Sequence, residues 1–79
     1  MEKGLMHKLV QEAFPTRNCV MVSEKEAYGV EMTKVAIGGQ GFGEKEFMTL
    51  FESVQKEGCK VTFSIESNVL VATIIKETL

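Results

Sequence analysis

The chain begins with a helical pattern. Leu5, Met6, Leu9, Val10, Ala13 and Phe14 fall at the spacing that lays one apolar stripe along a helix, leaving His7, Lys8, Gln11 and Glu12 to water. Pro15 ends it, because its ring removes a donor and clashes with the preceding turn. Cys19-Val20-Met21-Val22 is too short for a helix and rich in β-branching, so it predicts a strand covered on both faces. A polar link follows over 23–29. Between Val30 and Ile37 the alternation changes phase, from Val30 and Met32 to Val35 and Ile37, which predicts a second strand with a bulge or bend near Thr33 and Lys34.

The second half repeats the order. Phe47, Leu50, Phe51 and Val54 mark another amphipathic helix, with Met48 beside them and Gly58 as its C-terminal stop. Val61, Phe63 and Ile65 alternate with Lys60, Thr62 and Ser64, the clearest half-buried strand, and Ser67-Asn68 offers a turn. The Val, Thr and Ile content of 69–75 favours a closing strand, although Asn68 would also suit the cap of a helix facing inward with Val71, Ile75 and Leu79.

The expected fold is therefore α+β: a two-layer αββαββ domain with a four-stranded, mostly antiparallel sheet and two helices on one face. Segments 4–37 and 44–76 echo each other through Val10-Gln11-Glu12 against Val54-Gln55-Lys56 and Asn18-Cys19 against Gly58-Cys59, an echo over few positions that either a pseudo-repeat or coincidence gives. The run Val69-Leu70-Val71-Ala72, with Val20 and Val22, holds more apolar side chains than one covered face uses. That excess predicts a protein partner or self-association through the open sheet face or a strand edge.

Length and charge narrow the function classes. Seventy-nine residues make one small domain, residues 1–79, with no apolar residues to spare for a large cavity. Nine Lys and Arg against eleven Asp and Glu, a net charge of -2 without like-sign runs, disfavour a nucleic-acid partner and a membrane-surface role. The first fourteen residues are periodic and charged at both ends, unlike a signal h-region or a membrane span, so the expected location is cytoplasmic. Cys19 and Cys59 are then expected as reduced, buried thiols.

The one compositional outlier is Gly38-Gly39-Gln40-Gly41-Phe42-Gly43, between an expected strand and an expected helix, where backbone amides can take an anion. Gly39, Gln40, Gly41, Phe42 and Gly43 are the candidate ligand residues for a phosphate or nucleotide. The pattern is GxGxG, neither the dinucleotide nor the P-loop motif, and Glu44 and Glu46 oppose an anion at the same helix start. The competing reading is a connector whose glycines supply positive φ. Phe42 either folds back over the second helix or is presented to a partner.

His7 is the only histidine, so no Ser-His-Asp set and no metal site can be assembled around it, and neither catalysis nor a cofactor is expected. Gly4-Leu5-Met6-His7, the helix with Leu9-Val10-Gln11 and the run Glu57-Gly58-Cys59-Lys60-Val61-Thr62-Phe63 resemble, over about half the chain, the HPr phosphocarrier proteins, whose site histidine follows Gly-Leu. The resemblance implies that His7 is a phosphoacceptor. The family motif Gly-Leu-His-Ala-Arg-Pro is interrupted here by Met6 and lacks its Arg and Pro, the family's first strand has no counterpart, and the serine before its second helix is replaced by the glycine loop. The chain is accordingly read as a small non-catalytic interaction or homo-oligomerisation domain, with a phosphocarrier-like or nucleotide-binding protein as the alternative.

Overall fold

A computed structural model describes residues 4–39 and 41–77. Helix α1 (Leu5–Ala13) is followed by strands β1 (Cys19–Ala27) and β2 (Val30–Ile37), helix α2 (Glu44–Lys56), and strands β3 (Lys60–Glu66) and β4 (Val69–Glu77). All neighbours in the sheet are antiparallel, in the order β1-β2-β4-β3. The αββαββ order and the α+β class read from the pattern are the ones found, and 69–77 is strand.

The pairing register sorts the sheet into cross-strand rows. On the helix-covered face lie Cys19-Ile37-Leu70-Ile65, then Met21-Val35-Ala72-Phe63, then Glu24-Thr33-Ile74-Val61. Met6, Val10 and Ala13 from α1, Phe14 at its C-cap, and Leu50 and Val54 from α2 close over the middle of these rows and form one core with Val35, Ile37, Ala72 and Ile74. Burying such side chains fully stabilises by about 1.5–3 kcal/mol each, which is what holds two short helices in place. Helix α2 stops where expected: Gly58 takes φ 72°, its N–H bonds to the Gln55 carbonyl, and Cys59 N–H bonds to that of Val54, a Schellman closure.

Four sequence expectations are corrected. The stretch 23–27 is not a link, because β1 continues through it and the reversal is made by Tyr28 and Gly29 alone, both with positive φ, as a two-residue type I′ hairpin turn demands. Ser67 and Asn68 close the other hairpin in the same way. The irregularity lies in β1 between Met21 and Ser23, while β2 is regular throughout. Cys19–Val22 is not covered on both faces, since Val20 and Val22 are exposed on an edge strand. Finally, His7 and Gln11 do not simply face water, as described below.

The phase change in β2 has a different cause from a bulge. At the distal end of the β1–β2 hairpin the helix-side row is Glu26-Glu31-Lys76, and the apolar residues move to the opposite face as Ala27-Val30-Glu77 and Lys25-Met32-Ile75-Lys60. The sheet thus reverses its polarity along its length.

Candidate functional site

Three places carry the chemistry the sequence singles out: the glycine loop, His7 and the exposed parts of the sheet. The glycine loop is filled by its own neighbours. Phe42 packs edge-on against Phe14, with centroids 5.8 Å apart, and lies 6.1 Å from Phe47, which in turn meets Phe63 at 4.8 Å. Arg17 covers Phe42, its guanidinium carbon 4.7 Å from the ring centroid, and Nη2 donates to the Gly41 carbonyl at 3.2 Å. Phe42 therefore folds back onto the domain. Of the two readings the sequence left open, this is the one seen.

The start of α2 is equally occupied. Glu46 Oε1 accepts from Gly43 N–H at 2.9 Å, and Glu46 Oε2 lies 3.8 Å from Arg17 Nε. Gly43 has no side chain to return the bond, so only the glutamate half of a capping box is made. The glycines have a local reason: Gly39 (φ 99°) and Gly41 (φ 71°) are left-handed, and a Cβ on Gly39 would meet Arg17 Nη1 at 2.5 Å. An anion arriving here would have to displace Glu46 beside the carboxylate of Glu44. Among the candidate residues, Gly39, Gly41, Phe42 and Gly43 are brought together, while Gln40 lies outside the described residues.

His7 has a structural partner that sequence reasoning missed. Its Nε2 is 2.6 Å from the Cys19 carbonyl, an acceptor only, so the proton sits on Nε2 and the imidazole donates. One turn later Gln11 Oε1 accepts from Cys19 N–H at 3.4 Å, and Gln11 Nε2 donates to the carbonyls of Phe14 at 3.1 Å and Arg17 at 2.8 Å. Helix α1 thereby fastens both backbone groups of the first residue of an edge strand. The signal was in the sequence as an i, i+4 pair, His7 and Gln11, on one side of the helix.

The thiols are buried as expected, and burial raises both. For Cys59, the nearby Lys76 lowers the pKa while Glu57 and Glu31 raise it further. Among the described residues no group of three or more His, Cys, Asp and Glu is placed to hold a metal ion. No helix is long and apolar enough to cross a membrane among them.

On the outer face, Lys34 Nζ is 3.3 Å from Glu66 Oε2, which also accepts from Ser64 Oγ at 3.0 Å. These two hydrogen bonds, that of Ser64 first, and the lysine charge hold the Glu66 carboxyl below the usual range. In the row between Lys34 and Glu66, Val71 is buried although it belongs to the face without helices. Elsewhere that face is open. Val20, Val22, Met32 and Val69 are exposed, and Lys25, Ala27, Val30 and Met32 line a shallow apolar cleft of about 240 Å³ next to Tyr28, 97% exposed at the hairpin tip. A larger groove of about 450 Å³ runs beside the β3 edge, between Phe51 and Gln55 of α2 and Lys60, Val61 and Thr62. Against these features, no known family model, curated protein or solved structure matches the chain.

Proposed function

We propose that the chain is a small interaction module that works by binding protein rather than by catalysis. The reversal of polarity along the β1–β2 hairpin carries the reading. A two-layer domain needs apolar residues only beneath its helices. Here the distal hairpin turns Glu24, Glu26 and Glu31 to the helix side and Ala27, Val30 and Met32 to the uncovered side. Apolar side chains around a cleft, bordered by Lys25 and tipped by an exposed tyrosine, have the composition of a contact surface with a polar rim. The glycine loop supports the same reading from the other direction, because Glu46 already accepts from the Gly43 amide and the Arg17 guanidinium is already spent on the Phe42 ring and the Gly41 carbonyl.

Amide NMR tests the choice. A concentration series followed by titration with phosphate and mononucleotides is expected to broaden strand amides with concentration and to leave Gly41 to Phe47 silent. Saturable shifts confined to that loop, with unchanged tumbling, would overturn the reading in favour of a ligand-binding protein.

A further inference from the structure

The two edges of the sheet are treated differently. On β1 the outward groups of Cys19 are taken by His7 and Gln11, an irregularity follows at Met21–Ser23, and Glu24, Lys25 and Glu26 complete the strand. Each is a device that blocks pairing with another strand. Among the described residues, strand β3 has neither of the first two. It is regular over its seven residues, pairs only with β4, and carries charge only at its ends, Lys60 and Glu66.

From this contrast we infer that β3 pairs antiparallel with β3 of a second copy, about a two-fold axis at Phe63. This deepens the interaction reading above and rests on it. The arrangement of residues is self-complementary in that one register. Lys60 falls opposite the partner copy's Glu66, both on the outer face, and the symmetric pair repeats at the other end. Thr62 falls opposite Ser64, and on the helix side Val61 falls opposite Ile65. A shift by two residues would separate the charges and leave Lys60 facing Ser64. Opposite charges placed directly across a strand pair are favourable, and two-fold symmetry counts each pair twice.

The groove beside β3 supplies the second half of the fit. Ile65 is 68% exposed, and α2 turns Phe51, 45% exposed, toward the same edge. In the stated register each Ile65 comes down beside Val61 of the other copy, at the groove lined by Phe51, Gln55 and Val61. A knob and a hole on one surface, related by the axis that pairs the charges, suit a second copy better than an unrelated strand. The product is one eight-stranded sheet with both α2 helices flanking the seam.

Sedimentation equilibrium of the full chain from about 10 µM to about 1 mM, the range of a weak edge-strand contact, tests this. The wild type is expected to approach the mass of two chains. Lys60→Glu is expected to weaken association about tenfold, by replacing two attractions with two repulsions, and Glu66→Lys similarly. In a Lys34→Met background, where the new lysine meets no second ammonium, the double variant K60E/E66K is expected to recover the constant of Lys34→Met alone, and Ile65→Lys, at an exposed position, to abolish association with circular dichroism unchanged. Single variants that weaken without recovery in the double would overturn the register. A wild type that associates while all variants behave like it would place the seam elsewhere, overturning this inference and leaving the interaction reading intact. A chain monomeric at the highest concentration overturns the inference. Only the loop-confined anion shifts described above would remove both.

Discussion

Lys34 crosses the whole width of β4 to reach Glu66, two strands away, and Val71, buried on the outer face, lies in the row between theirs. Long charged side chains can shield apolar surface while keeping the ammonium in water. The outer face is thus partly roofed by the chain itself near its centre and left open toward both ends.

A pH dependence follows. The Glu66 carboxyl titrates below its unfolded value, so its contribution to stability is present above the usual carboxylate range and is lost as pH falls through the lowered value. Ser64→Ala and Lys34→Met are each expected to bring that pKa back up, as followed by side-chain carbon NMR. A wild-type Glu66 that titrates in the ordinary range would contradict the arrangement.

Removing the aromatic pin should be costly for a residue in a glycine loop. Phe42 is half-buried against Phe14 and Phe47, so Phe42→Ala is expected to destabilise by about 1.5–3 kcal/mol, below the full range for a buried phenylalanine. Urea unfolding reads it directly. A loss under about 0.5 kcal/mol, the scale of ordinary surface changes, would mean that the loop does not hold Phe42 in this position.

Freeing the β1 edge should be visible locally before it is visible globally. His7→Ala and Gln11→Ala each remove a hydrogen bond to Cys19, at an expected cost of about 0.5–1.5 kcal/mol. Gln11→Ala is also expected to speed amide exchange at Cys19 and to shift Phe14 and Arg17 through their carbonyls. Unchanged exchange at Cys19 would remove the proposed fastening.

The thiols make a simple probe. Burial raises the pKa of both Cys19 and Cys59, which lowers the thiolate fraction at neutral pH. Labelling by a thiol reagent is expected to be slow in the folded protein and to reach two groups per chain only in denaturant. Rapid labelling of either one in buffer would show that its surroundings open readily.

Which parts of this structure could be read in the sequence depends on how local their causes are. Leu5 to Phe14 and Phe47 to Val54 announce helices because one stripe of each meets one core. Gly58 announces its own role, since only a left-handed residue completes the Schellman closure there. The hairpin turn at Tyr28-Gly29 was less legible because tyrosine rarely takes positive φ, and the polar residues of β1 before it read as a link. The apparent bend in β2 was a long-range effect: its distal half runs beyond the helices, and only the strand order decides which face is covered. Within the glycine loop the neighbours Glu44 and Glu46 already argued against an anion. Arg17, distant in sequence and brought in by the fold, carried no such signal.

The two tight turns have a consequence for how the chain reaches this state. Each closes a hairpin between neighbouring strands, an event of about 1–10 µs in isolated peptides. The β2–β4 pairing joins the two halves of the chain, with Val30 opposite Glu77, and cannot be rewarded until that long closure is made. Assembly therefore runs from the rims inward. The two αββ halves are expected to prepare their strands separately, and the central seam, where Val35 meets Ala72 and Thr33 meets Ile74, to lock last. Phi-value analysis reports this order as high values at the hairpin turns and low ones at Val35 and Ile74, and the opposite pattern would reverse it. On that expectation the most buried part of the sheet forms last, and the rate of unfolding is set by how firmly that one seam is kept shut.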